Sequence, residues 1–352
     1  VVFFLCVFLC WVSVGSAIRS QWGLDFSSSN VLNVIDFGAV GDGKTDDSQA
    51  FLKAWDKACT SWNPSTLVVP SDKSFLLLPV VTFQGPCKAP SINFQVFQSM
   101  EQEKLMDKDG LGGNAERNIN AQEHPHQQKH VAIDGCSGVK ISDVWIVAPE
   151  SSPNTDGIHI QSSKNVEISK STIGTGDDCI SIGTDTSNVT ISDIFCGPGH
   201  GISIGSLGKF KRAAVEHIYV HNCTFKGTQN GARIKTWQGG FGYAKDIRFK
   251  DITLDSSDNP IIIDQYYCNG GDDCKNSTSA VKVSDVWFTN FRGTSSSKTA
   301  INLACSESVA CEDIHLNHVH ITGVDSEVVP YTLNVKGRTI DVKPEAYLDR
   351  PT

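Results

Sequence analysis

From residue 139 onward the chain repeats one pattern of apolar and polar positions. Two apolar residues stand one apart, a polar pair follows, and a second alternating apolar stretch closes the unit. The copies are "GVKISDVWI", "NVEISKSTI", "NVTISDIFC", "HIYVHNCTF", "DIRFKDITL", "AVKVSDVWF" and "DIHLNHVHI". Counted from the first apolar residue they start at Val139, Val166, Val189, Ile218, Ile247, Val281 and Ile314, at intervals of 27, 23, 29, 29, 34 and 33 residues. Strict alternation predicts strands. A repeat of this length predicts a solenoid whose successive coils stack on one another.

A second strand is predicted inside each period: "DGIHI" at 156–160, "DCISI" at 178–182, "HGISI" at 200–204, "ARIKT" at 232–236 and "NPIII" at 259–263. Two or three short strands per repeat, joined by polar turns, fit the coils of an all-β parallel β-helix. A β-sandwich with evenly spaced strands does not predict the same side-chain order in every repeat.

The register of the second strands brings chemistry together. Aligned on Ile158, Ile180 and Ile202, the residue two places earlier is Asp156, Asp178 and His200, spaced 22 and 22 apart. Stacked coils rise by about 4.8 Å, so these positions form a column. Asp177 adjoins Asp178, and Arg233 and Lys235 come from the following second strand. Clustered carboxylates repel one another and lose hydration beside apolar neighbours, which costs stability. Singly, an Asp before Gly is a turn former and an Arg or Lys on a strand is a solvated face. Their coincidence on one column is what points to function. One carboxyl in such a cluster can stay protonated to give a proton to a leaving oxygen while another activates water, the chemistry of glycoside hydrolysis. Cations beside them suit an anionic sugar. Lys209, Lys211 and Arg212, after the His200 strand, are expected to add positive potential nearby.

Composition narrows the class. The chain has 352 residues, rich in Gly and poor in Met, with a formal net charge of −9. That excludes a generally basic, nucleic-acid-binding surface. Residues 1–17, "VVFFLCVFLCWVSVGSA", carry no charge, and Gly15 and Ala17 are small residues placed for cleavage after Ala17. The segment reads as a secretory signal, entered partway along, and is marginal in length for a membrane span. Beyond it ten cysteines remain, an even number that favours disulfides in an oxidising compartment. Cys268/Cys274 and Cys305/Cys311 are close enough to staple small loops, and no CxxC spacing argues for zinc. Sequons at Asn188, Asn222 and Asn276 fit secretion.

"NTDG" (154–157), "GDDC" (176–179), "GHG" (199–201) and "RIK" (233–235), in that order, resemble the four signature motifs of the polygalacturonases, glycoside hydrolase family 28. "FGAVGDGKTDDSQAFLKAWDKAC" (37–59) is similar to the N-terminal segment of the plant members. The resemblance covers roughly residues 31–97 and 130–320. It implies a single-stranded right-handed parallel β-helix of the pectin-lyase-like type. It also implies hydrolysis of α-1,4 bonds in homogalacturonan with inversion, without metal or other cofactor. On that resemblance Asp177 is the general acid, Asp156 and Asp178 hold and activate water, and His200 tunes the acid. Arg233, Lys235, Tyr267 and Asn154 contact substrate, and Cys179 pairs with Cys196. The expected partner is pectin or polygalacturonate. The expected mature protein is a secreted cell-wall monomer, free of membrane and nucleic acid. "RIKTWQGG" leans toward endo attack.

Three stretches depart from the pattern. Residues 98–129 are polar, with little alternation, and shorter than the family's equivalent; they read as an exposed insertion or a translation artefact within a catalytic domain spanning 31–322. Residues 323–352 read as a divergent tail lacking the usual terminal cysteines. A second GDDC, at 271–274, falls outside the strand register and reads as a loop closed by Cys268 and Cys274, with Asp272 and Asp273 as solvated acids. The rival readings are a Ca²⁺-dependent pectate lyase acting by β-elimination and a silent wall-binding β-helix.

Overall fold

The computed structural model describes residues 30–77, 80–97, 118–120, 129–209, 211–268, 274 and 277–350. The segment expected as a secretory signal, Asp272 and Asp273 of the second GDDC, and the Asn276 sequon lie outside the described residues. Among the described residues no helix is long and apolar enough to cross a membrane.

Two parallel sheets wind along one axis, as a right-handed parallel β-helix. The longer sheet stacks Ser137–Ser142, Lys164–Gly174, Thr186–Cys196, Ala213–Lys226, Gly242–Ser257, Lys282–Ser295 and Cys311–Gly323 in sequence order. The shorter sheet stacks Lys129–Asp134, Asp156–Gln161, Ile180–Ile182, Ile202–Leu207, Asn230–Trp237, Asn259–Tyr267 and Thr299–Ala304. The alternating apolar residues point inward and meet their equivalents one coil away. Ile158, Ile180, Ile202, Ala232, Ile261 and Ile301 are successive register partners, all fully buried. Burying an isoleucine of this kind contributes about 1.5–3 kcal/mol, and each side chain also closes the one below it.

The long strands turn corners without leaving the sheet, because single residues adopt left-handed backbone geometry. One corner is formed by Asn165, Asn188, His217, Asp246, Asp285 and Asp313, and another by Lys170, Asp193, Asn222, Asp251, Asn290, His318 and Asp341, all with φ between 48° and 59°. Asn and Asp tolerate this geometry because their short polar chains bond locally. The second corner falls in the "polar pairs" of the sequence repeat, and the first stands immediately before each copy's first apolar residue. The corners also correct one repeat. Ile247 pairs with Val286 and then Ile314, so the sixth copy is "DVWFTNFRG" rather than one starting at Val281. The intervals from Ile247 are therefore 39 and 28 residues, not 34 and 33.

Four further elements were not foreseen. The helix Ser48–Cys59 turns Phe51, Ala54, Trp55 and Ala58 onto the open first coil. Phe51 packs on Phe75 and Phe94, and Trp55 stacks on Phe83, so the helix closes a solenoid end that would otherwise expose apolar surface. Within the atypical stretch 98–129, Asn118–Asn120 is a strand that pairs with Ser74–Leu76 and Trp145–Val147. Past residue 322, Val329–Leu333 and Val335–Lys343 add one more strand to each sheet.

Among the described residues four disulfides are present: Cys59–Cys87, Cys179–Cys196, Cys268–Cys274 and Cys305–Cys311. Cys136 and Cys223 stay as buried thiols, and burial pushes each up to about 12.

Candidate active site

The column expected from the repeat exists on the outer face of the shorter sheet. Lys129, Asp156, Asp178, His200 and Asn230 occupy it in order, as the flanking register shows. Gly157 N–H donates to the Asp178 carbonyl (2.9 Å) and Cys179 N–H to Gly201 (2.8 Å), which locks the three motif strands to one another. The Cys179–Cys196 bond ties the acid-bearing turn to the longer sheet.

Two glycines make the approach possible. A Cβ on Gly176 would stand 1.9 Å from the Ser152 carbonyl, so only glycine lets the GDDC turn lie against the NTDG turn. Gly205, at φ +120°, sits under Lys235, whose carbonyl a Cβ would meet at 2.1 Å. Asp177 is then fixed from both sides: His200 N–H donates to its carbonyl (2.7 Å), and Asp178 N–H donates to the Asp177 carboxylate (2.7 Å).

The three carboxylates occupy different environments. Asp178 is buried. It accepts from Ser203 Oγ at 2.6 Å and from Lys235 Nζ at 2.7 Å, with an Arg233 guanidinium nitrogen 3.9 Å away. Its charge is thus matched within the protein. Asp177 pairs with His200 Nδ1 at 3.1 Å. Burial pushes its carboxyl up, but the His200 hydrogen bond and charge, with Lys235, outweigh that and hold it below the ordinary value. Asp156 accepts from Ser181 Oγ at 2.5 Å. Burial, then the charges of Asp178 and Asp177, push it up to about 7. One cluster thereby holds carboxyls of well-separated acidity, with Asp156 the weaker acid and Asp177 the stronger. This is the reverse of the order expected for a lone acid at Asp177 and a lone base at Asp156, so any proton at Asp177 has to be held by its pair with His200.

A cleft of about 470 Å³ joins them. Its lining contains all eight residues expected from sequence: Asp156, Asp177, Asp178, His200, Arg233, Lys235, Tyr267 and Asn154. Tyr267 lies over both cations, 5.6 Å from Arg233 and 5.4 Å from Lys235, and meets Trp237 edge-on. Arg233 Nε and Trp237 Nε1 are buried donors without a hydrogen-bond partner. Lys235 differs from its expected part: its ammonium is engaged with Asp178. The basic trio after the His200 strand is divided. Lys209 lies over Trp237 at 4.1 Å, Lys211 pairs with Asp185 and Arg212 lies over Tyr243. Asp177, Asp178 and His200 bring ligand-capable atoms within 4.8 Å of one another, the one such grouping among the described residues. The lysine on Asp178 already supplies the positive charge a cation would bring.

Lys129, His159, Ser181 and Ser203 belong to the site and were not singled out from sequence. A signal existed for two of them, since Ser181 and Ser203 sit at the same place in the aligned strands "DCISI" and "HGISI".

A parallel β-helix with a carboxylate column, a facing imidazole and paired cations in one cleft defines a polysaccharide-cleaving class of solenoid. Comparison with known proteins makes this specific. Glycosyl hydrolases family 28 matches residues 101–338. The chain is 44% identical to a probable polygalacturonase of Arabidopsis thaliana, over 91% of this chain and 82% of that protein. It is 41% identical to a polygalacturonase of Gossypium barbadense, over 87% and 88% respectively. Among solved structures, an endo-xylogalacturonan hydrolase from Aspergillus tubingensis shares the fold with TM-score 0.57 and 23% identity, covering 89% of this chain and 99% of that one. The chain belongs to glycoside hydrolase family 28, and it is a glycoside hydrolase.

Proposed function

We propose that this protein is a polygalacturonase that cleaves α-1,4-galacturonosidic bonds of homogalacturonan with inversion. The observation that carries the reading is the cleft that joins Asp156, Asp177 and Asp178 to Arg233, Lys235 and Tyr267. Carboxylates supply the acid–base chemistry of glycoside hydrolysis. Arg233, with a buried donor still unpaired, supplies a grip for a sugar carboxylate. The relatives named above point to the same substrate.

In this reading the Asp177–His200 pair shares one proton, and Asp177 delivers it to the glycosidic oxygen as the bond breaks. A water held between Asp156 and Asp178 attacks the anomeric carbon from the opposite face, and Asp156 takes its proton. Asp178, neutralised by Lys235, orients that water without competing for the proton. Tyr267 and Asn154 border the sugar. Endo attack, as "RIKTWQGG" suggests, and secretion to the cell wall, with which four disulfides agree, complete the proposal.

The test is product chemistry on polygalacturonate. New reducing ends without ultraviolet-absorbing unsaturated ends, and indifference to a chelator, are expected. Unsaturated product that a chelator abolishes would assign the chain to β-elimination. A fall in viscosity well ahead of reducing-end release is the expected sign of endo attack.

A further inference from the structure

The cleft is lined by one histidine that the proposed chemistry does not use. His159 lies on the Asp156 strand and is the register partner of Ser181 on the next. Its Nδ1 is 2.7 Å from Ser181 Oγ, and Ser181 Oγ is 2.5 Å from Asp156 Oδ2. The ring is 3.9 Å from that carboxylate oxygen, too far for a direct hydrogen bond, so the hydroxyl bridges the two.

We propose that His159 is a positioning residue for the base: through the Ser181 hydroxyl it fixes the carboxylate of Asp156 as an ionised proton acceptor. The inference rests on the reading of Asp156 as base. Its logic is a count of hydrogens. Ser181 has one to give. When Asp156 is ionised, that hydrogen goes to Oδ2. Ser181 Oγ, facing Nδ1 at hydrogen-bond distance, must then accept, so the imidazole carries its proton on Nδ1. The chain runs His159 to Ser181 to Asp156, each donating to the next. It leaves Oδ1 of Asp156 for water.

The surroundings keep the ring in this role. Burial pushes His159 down to about 3, and Lys129, on the preceding strand, and Lys235 push the same way, outweighing the Gln161 side-chain hydrogen bond, which favours the charged ring. The imidazole is therefore a neutral, oriented donor at any working pH. Asp156 is in the opposite situation. Burial, Asp178 and Asp177 oppose its ionisation, while Ser181 and Lys235 favour it. A donor to the charged form is what such a carboxyl needs to act below neutral pH. This is the arrangement by which a second group fixes the tautomer and rotor of a reacting one.

The test is the pH profile of kcat/KM on polygalacturonate. Ser181→Ala and His159→Leu are each expected to move the acidic limb upward, by about one pH unit for Ser181→Ala, and to leave the basic limb in place. His159→Asn, whose amide nitrogen stands where Nδ1 does, is expected to restore the limb. The Ser181→Ala/His159→Leu pair is expected to shift no further than Ser181→Ala alone. A uniform loss at every pH, with the limb unmoved, would overturn the proposal and leave His159 a packing residue. Nitrogen-15 NMR of the wild-type ring decides the point independently of any variant. A neutral ring protonated on Nδ1 from about pH 5 to about pH 8 is expected, and protonation on Nε2 would overturn the proposal. A wild-type protein that releases no reducing ends would instead overturn the polygalacturonase reading, with the NMR result still deciding the His159 assignment.

Discussion

Polar side chains stack along both sheets of this solenoid, at the corners of the longer and in the cleft of the shorter, and are built from the same residue types. On the longer sheet the corner residues pair with neighbours one rung away: Asn188 with Asn165 at 2.6 Å, Asn222 with Asp193 at 2.5 Å, Asn290 with Asp251 at 2.7 Å and His318 with Asp341 at 3.0 Å. These four pairs are exposed, and each needs only its partner and water. On the shorter sheet Asp156, Asp178 and His200 stand at the same kind of spacing, but buried in a cleft, with the counter-charge of Lys235 brought in from the further strand Asn230–Trp237. The first stack solves a backbone problem, turning a corner in left-handed geometry. The second carries an electrostatic cost that the fold itself does not require. Aspartate in a column is therefore uninformative alone; burial and the demand for distant counter-charges separate machinery from scaffold.

The cost on the shorter sheet is testable by removing it. Asp156→Asn should abolish hydrolysis and stabilise the fold, and the gain should depend on pH. The folded carboxyl titrates near 7 against an unfolded value of 3.8. A raised folded value means that the stability of wild type is fully present below about 4 and falls as pH rises through about 7. The variant lacks that fall. Its unfolding free energy should exceed that of wild type most at pH 8, by on the order of a few kcal/mol, and least at pH 4, read as a melting-temperature gain that grows with pH. An equal difference at every pH would mean that Asp156 bears no burial cost.

The corner ladder should respond weakly. Asn290→Gly keeps the left-handed backbone and loses only an exposed hydrogen bond, so a cost of about 1 kcal/mol or less is expected, with kcat unchanged. A variant that lost activity would join the two stacks and defeat the contrast between them.

Much of this was legible in the sequence because the solenoid translates register into sequence spacing. The alternating isoleucines fixed which residues share a column, and the column held. The stapled loops at Cys268–Cys274 and Cys305–Cys311 were readable from spacing, whereas Cys179–Cys196 came from the family resemblance. The rest failed for physical reasons. The register after Ile247 slipped because a long connection, with its own disulfide, separates the strand Asn259–Tyr267 from Val286 and obscures the period. The helix Ser48–Cys59 pairs a small apolar face with many polar residues, a weak signal beside the strand repeat. Lys129 went unread because the polar stretch before it hid the start of its strand. The union of Lys235 with Asp178 was not visible because a lysine side chain reaches across two rungs, further than any alignment of neighbouring positions.

The central claim is that the buried column performs hydrolysis with Asp177 as the acid. It is tested most directly by reducing-end release from polygalacturonate by Asp177→Asn, with the fold checked by its melting transition. A folded variant slowed by about 10²–10⁴ is expected. Release at the wild-type rate from the folded variant would contradict the account.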